Sequence, residues 1–181
     1  MQKIGKTGAE AIFLGGLLSE NGAQIIKDKV SVLGPNDGKV KLYTPDGFTL
    51  QNTIDTAGAA SKGIIGSVAG LPYEKLTPDG QAFYDGFKAK YNLESVDPYA
   101  IYGAAATQVV LNALANASDR ADVIAQMFAT KIDTVIGPVE FNAGGDRASS
   151  PVTIYLAGAH FDPIDVVSPT PELLDAARGI K

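Results

Sequence analysis

Few residues in this chain can make or break bonds. Its 181 residues include one His, no Cys and no Trp. That excludes disulfides, thiolate metal sites and cysteine nucleophiles, and leaves His160 as the one imidazole base. Asp162 and Asp165 follow closely, a grouping that would suit a metal ion or a catalytic dyad. All three fall on a turn and a strand, where a single His reads more simply as a solvated side chain. The segment from Asn142 to Asp146 lacks the spacing of a calcium loop, and no nucleophile stands with a supporting base. No metal, no cofactor and no catalysis are expected. Two places can still hold a ligand. Gly15-Gly16, between an apolar run and a helix start, offers backbone N–H groups to an anion, but lacks both glycine-rich nucleotide patterns. Asp46, within Pro45-Asp46-Gly47 and close to Tyr43 and Phe48, can receive an ammonium group in an apolar setting, although Pro-Asp-Gly is also ordinary turn chemistry.

The elements that must position these residues alternate in the first third. Ala11-Ile12-Phe13-Leu14, ended by Gly15-Gly16, reads as a buried strand. Ser19 is a candidate N-cap with Glu20 in the first turn, and Ala23, Ile26 and Val30 recur at helical spacing up to Gly34-Pro35. Val40, Leu42 and Thr44 alternate with Lys41 and Tyr43 as a second strand. A short helix over 49–60 and a third strand over 63–68 complete a βαβαβ rhythm, which predicts a parallel sheet.

The middle is helical. Phe83, Phe87 and Tyr91 share one face after Pro78-Asp79, a spacing that reads as core packing rather than a cofactor box. Tyr99, Tyr102, Ala106, Val110 and Leu114 mark one face of a long Ala-rich helix that ends near Asn116-Ala117-Ser118. That triplet reads as a helix terminus rather than a glycan acceptor. Asp119 or Ser118 caps a third helix with Val123, Ile124, Met127 and Phe128 inside. Residues 134–141 are β-rich, with Pro138 confining that part to an edge, bend or bulge. A turn over 142–146, strands over 151–156 and 161–167, a linker over 168–171 and a short helix over 171–177 follow.

Composition bounds the class. Hydrophobic residues are 45% and charged residues 19% of the chain, enough to bury a core. The formal net charge of −5 provides no basic field for a nucleic-acid partner. The start, Met1-Gln2-Lys3-Ile4-Gly5-Lys6, carries positive charge, but Glu10 interrupts before an apolar export core forms. No apolar stretch approaches the roughly 20 residues of a membrane span.

Five stretches, taken in order, resemble one family: 11–16 (AIFLGG) with Ser19-Glu20, 42–47 (LYTPDG), 57–63 (AGAASKG), 97–105 (DPYAIYGAA), and 133–142 (DTVIGPVEFN) followed by Gly145-Asp146. They are similar to the C-terminal half of leucine/isoleucine/valine-type periplasmic binding proteins, the substrate-binding components of branched-chain amino-acid ABC transporters. The resemblance implies an α/β fold of type I, with flavodoxin- or Rossmann-like parallel sheets. Such proteins have two lobes joined by three chain crossings, and ligand binds in the cleft as the hinge closes. Residues 1–72 would form a βαβαβ segment of the second lobe, 73–148 a helical segment and strand of the first, and 149–181 the return to the second with a C-terminal helix.

The resemblance also implies roles. Asp46, with Tyr43 beside it, would take the α-ammonium of an amino acid. Leu17 and Leu18 stand where the family commonly offers an aromatic contact, and Tyr99 matches a cleft aromatic. The expected ligand is an amino acid or similar small carboxylate, passed to an ABC permease in the membrane. The family's N-terminal half is not among these residues. The chain is therefore expected to be either part of an exported, periplasmic precursor or a cytoplasmic product starting at Met1. Its missing half, or a second copy in a homodimer, would cover the apolar faces of Phe83-Phe87-Tyr91 and Ile101-Tyr102-Val110. An enzyme of flavodoxin-like or Rossmann-like kind is the remaining rival, and no motif supports it.

Overall fold

Strand alternation and helix caps set two separate units. The computed structural model describes residues 1–148, 150–170 and 172–173. The first unit comprises Met1–Ala69 with Val152–Val167, and the second Gly70–Pro151 with the described residues after Val167. A helical turn, α1 (Gln2–Gly5), precedes β1 (Ala11–Phe13), α2 (Ala23–Leu33), β2 (Lys41–Thr44), α3 (Gln51–Ala57) and β3 (Ile65–Ala69). The second unit carries α4 (Pro78–Tyr91), α5 (Pro98–Asn116), α6 (Arg120–Phe128), β4 (Lys131–Thr134) and β5 (Gly137–Glu140). The chain then re-enters the first unit as β6 (Val152–Ala157) and β7 (Phe161–Val167). The helix expected over 171–177 lies almost wholly outside the described residues.

The first unit is a five-stranded sheet in the order β1-β2-β3-β6-β7. β1, β2 and β3 are mutually parallel, while β6 and β7 add antiparallel as a hairpin. α2 and α3 are the crossovers that parallel neighbours require. Pro163 sits in β7, at the sheet's edge, where a missing N–H is tolerated and the register slips by one at Ile154/Tyr155. The core is Ile26, Leu42, Phe48, Ala57, Ile64 and Ala157, with Ile12, Leu14 and Leu18 against it.

β1 is not a buried strand. It lies at the other edge, with only Ile12 partly covered and Phe13 67% exposed. Phe13 pairs with Tyr43, Tyr43 with Ile65 and Ile65 with Leu156, so these four share one face. Phe13, Tyr43 and Leu156 are all exposed on it.

Ser19 is not a cap either. Residues Leu18–Gly22 form a wide turn in which Asn21 is left-handed (φ 62), and α2 begins after Gly22 with no side-chain cap. A Cβ at Gly22 would run into the Phe48 ring, so the chain must pass that ring before the helix can start.

Lys29 is fully buried on α2. Its Nζ donates to the carbonyls of Gly34, Pro35 and Val40 at 3.0, 3.1 and 2.6 Å. These bonds offset the cost of burying a cation, and burial holds the amine below the ordinary lysine range, with Asp37 opposing. The lysine thereby closes the loop between α2 and β2. Buried Asn36 donates to the carbonyls of Ala60 and Lys62 at 2.8 and 2.9 Å, tying that loop to the approach of β3.

In the second unit Thr77, Asp97 and Asp119 cap α4, α5 and α6, accepting from Gly80 N, Tyr99 N and both Ala121 N and Asp122 N. The buried stripe of α5 is Ile101, Ala105, Val109 and Ala113. The stripe expected from the sequence lies mostly outside: Tyr99, Ala106, Val110 and Leu114 are exposed. An Ala-rich helix is apolar on more than one side, so a 3.6-residue period alone does not choose between neighbouring stripes. On α6, Val123 and Met127 are half-buried, but Ile124 and Phe128 are exposed. The aromatic stripe of α4 stacks Phe83 on Phe87 and Phe87 on Tyr91, with centroids 5.7 and 4.6 Å apart. Phe83 reaches the small core of Ile101, Ala105 and Val135, while Tyr91 is exposed. Within the β-rich stretch 134–141, a turn at Val135-Ile136 separates the end of β4 from β5, and Pro138 lies in a two-stranded sheet in which both strands are edges. Thr134 holds that turn, its Oγ1 donating to Gly137 O at 2.9 Å and accepting from Ile136 N at 3.2 Å.

Replacing Lys29 with Met strands three carbonyls and is expected to destabilise the chain by roughly 2–3 kcal/mol. Denaturant unfolding at neutral pH measures this, and an unchanged midpoint would show that the lysine does not hold the loop.

Candidate functional site

Parallel strands present their C-terminal ends on one edge of a sheet, and the loops that leave them meet there. After β1 the chain runs through Leu14-Gly15-Gly16-Leu17, with Leu14 N donating to Tyr43 O at 2.9 Å. After β2 it makes a 3₁₀ turn, Asp46–Phe48, closed by Phe48 N to Pro45 O at 3.1 Å and Thr49 N to Asp46 O at 2.9 Å. Thr49 Oγ1 adds a bond to Pro45 O at 3.2 Å. The turn is nailed down by Phe48, whose ring is 1% exposed within the core.

The two loops touch. A Cβ built on Gly47 would lie 2.7 Å from Leu17 Cδ2 and 3.0 Å from Gly16 O. Only glycine lets the Asp46 turn approach the β1 loop so closely. Gly16 itself has φ 153, a backbone conformation that residues with a side chain rarely adopt, while a Cβ there would meet nothing closer than the Phe48 ring at 4.0 Å.

Asp46 is half-buried, and no described residue gives its carboxylate a hydrogen bond or an ion pair. A partly dehydrated carboxylate without an internal partner favours an external cation or N–H donor. Leu17, against the Gly47 end of the same turn, is 55% exposed. Leu18 points differently: it packs against the first unit's core. Tyr43 lies on the exposed sheet face next to its register partner Phe13. Tyr99 belongs to the second unit, at the start of α5, and is 53% exposed. The structure thus joins Asp46 and Leu17, and sets Leu18, Tyr43 and Tyr99 in other surroundings.

His160 does not assemble a site with Asp162 and Asp165. Its Nδ1 lies 2.9 Å from Gln51 Oε1, and Gln51 Nε2 donates to Ala159 O at 3.3 Å, so the imidazole braces the β6–β7 turn against α3. Among the described residues no group of three metal-ligating side chains converges, and no helix is long and apolar enough to cross a membrane. Sequence reasoning missed one feature, Gly47 as the contact that joins the two loops. Its signal, a glycine after an acidic turn residue, is shared with every Pro-Asp-Gly turn.

A sheet of three parallel strands joined by helical crossovers, with the loops after β1 and β2 in contact at their C-terminal ends, defines an α/β fold. A sequence profile described as "Periplasmic binding protein" matches residues 1–159, and the chain belongs to that family. Among solved structures it is similar to a leucine binding protein from Thermotoga maritima, with a TM-score of 0.76 at 20% identity over 90% of this chain and 45% of that one. It is also similar to a branched-chain amino acid transporter substrate binding protein from Streptococcus pneumoniae in complex with isoleucine, with a TM-score of 0.73 at 21% identity over 88% of this chain and 45% of the other. A third is the solute binding protein of an ABC transporter from R. palustris in complex with benzoate, with a TM-score of 0.70 at 20% identity over 94% of this chain and 47% of the other. The chain therefore spans a little under half the length of these structures. No curated protein matches the sequence. The family resemblance carried by the five sequence stretches is borne out.

Gly47→Ala forces the two loops apart and should cost about 1–2 kcal/mol, as overpacking does. In amide NMR spectra the Gly16 and Leu17 signals should shift while those of β6 stay in place. Unmoved Gly16 and Leu17 would show that the loops do not depend on this contact.

Proposed function

We propose that this chain is the ligand-binding portion of a solute-binding protein for an amino acid or similar small carboxylate, serving uptake through an ABC transporter. The observation that carries this is Asp46: a half-buried carboxylate with no partner among the described residues, on the turn after a central parallel strand that meets the neighbouring loop through Gly47. It would neutralise the ligand's α-ammonium through charge-assisted hydrogen bonds. Leu17, on the neighbouring loop, would line the path of the ligand side chain. No bond is broken. Ligand is held and released, and a membrane permease receives it. The names of the similar structures, which include a leucine binding protein and a complex with isoleucine, support this ligand class, and the benzoate complex keeps an amine-free carboxylate in view.

The 181-residue chain can be titrated with leucine, phenylalanine, glutamate and benzoate while amide NMR follows Leu17, Asp46 and Gly47. An amino acid should move these signals saturably. Asp46→Asn should weaken the amino acid by roughly 10- to 100-fold, the value of a charged hydrogen bond, and leave benzoate nearly unaffected. If no amino acid moves these residues in the folded chain, the assignment fails.

The uncovered apolar faces favour a second reading, a module that associates with its own copy rather than binding ligand. Val110, Leu111 and Leu114 on α5 and Ile124 and Phe128 on α6 are exposed together with the Phe13 face of the sheet. Sedimentation would then show concentration-dependent dimers, lost when Leu111 and Ile124 are both changed to Glu. A monomer at every concentration would eliminate this reading.

A further inference from the structure

The second unit contains a pocket apart from the Asp46 turn. It is lined by Leu71, Leu76, Ile101, Ile136, Tyr102 and Arg147, with Gly70 and Pro151 beside them, and it opens to solvent at its mouth. Its walls are aliphatic except at two points, the guanidinium of Arg147 and the phenol of Tyr102. Arg147 Nε is buried without a hydrogen-bond partner, and among the described residues no carboxylate forms an ion pair with this arginine. The ion pair that does form among the described residues, Lys131 to Glu140 at 2.6 Å, is exposed.

A guanidinium cannot shed its charge. An unpartnered Nε in an apolar pocket leaves a buried donor unsatisfied, at a cost of about 1–3 kcal/mol. An anion entering the pocket would recover that cost, and a planar carboxylate matches the guanidinium fork best. Tyr102 faces the same space, its phenol raised by burial and held back by the nearby arginine. Gly70 keeps the space open. It has φ 114, its N donates to Pro151 O at 2.6 Å, and a Cβ there would collide with the Tyr102 hydroxyl.

We propose that this pocket binds a short-chain monocarboxylate, its carboxylate on Arg147 and its alkyl chain against Leu71, Leu76, Ile101 and Ile136. The alkyl wall sets the class. A site for inorganic anions would need polar groups where these aliphatic side chains stand, and a longer or doubly charged acid would have to place its far end in solvent.

The test is direct observation of the Arg147 Nε–H resonance in the wild-type chain, titrated with formate, acetate, butyrate, chloride and sulfate. Butyrate should move it saturably and at lower concentration than formate, by roughly tenfold for the buried methylenes. The Gly47 amide should stay in place, which separates this pocket from the proposed amino-acid site. Arg147→Gln should abolish the response of the Ile136 and Leu71 amides to butyrate. Should that variant not fold, Arg147→Lys, which keeps charge but loses the fork, should weaken butyrate at least about tenfold. A linear, unsaturated shift, equal saturation by chloride or sulfate, or undiminished binding in the arginine variants would overturn the proposal.

Discussion

The ring of Phe48 is the contact on which the candidate site depends. It is buried in the core of the first unit, and it also fixes three stretches of backbone. The Asp46–Phe48 turn ends on it, Gly22 presses against its edge, and Leu18, at the end of the β1 loop, packs against the same core. One apolar side chain therefore ties a carboxylate-bearing turn, the loop of the neighbouring strand and the start of α2 to a single core. Burying a phenylalanine is worth about 1.5–3 kcal/mol. Here that energy also positions Asp46, since the turn cannot rotate without lifting the ring.

Where the sequence was legible, local pattern and tertiary outcome agreed. The alternation of Val40, Leu42 and Thr44, the glycine that ends α2, the Asp119 cap and the Pro-Asp-Gly turn all appear as the residues imply. The failures occurred where packing alone decides. Ala11 to Leu14 is apolar, but nothing in its pattern says which edge of a sheet it will occupy. α5 carries apolar residues on adjacent stripes, and the stripe facing the small core of Ile101, Ala105 and Val135 is chosen by what lies opposite. Ser19 has the right chemistry for a cap and the wrong neighbour, because the Phe48 ring delays the helix to Ala23. The candidate site was partly legible. Asp46 could be singled out as a carboxylate on a strand-end turn, whereas the approach of that turn to Leu17 depends on Gly47 and on two strands being adjacent.

Lys29 and Arg147 show how differently one chain treats a buried nitrogen of a cationic side chain. Lys29 is surrounded by three carbonyls, and its charge is consumed in closing a loop. Arg147 has a buried Nε with no such ring of acceptors. Neither was visible as special in the sequence, where both sit among other polar residues. The difference lies in whether backbone acceptors converge, and only tertiary structure settles that.

In the proposed function, Asp46 is the group that receives a ligand's ammonium. A crystal structure of this chain soaked with leucine tests it most directly. The predicted result is leucine beside Leu17, with its ammonium nitrogen within hydrogen-bond distance of an Asp46 carboxylate oxygen. Leucine bound with its carboxylate toward Asp46, or seated elsewhere with the Asp46 turn unoccupied, would contradict it.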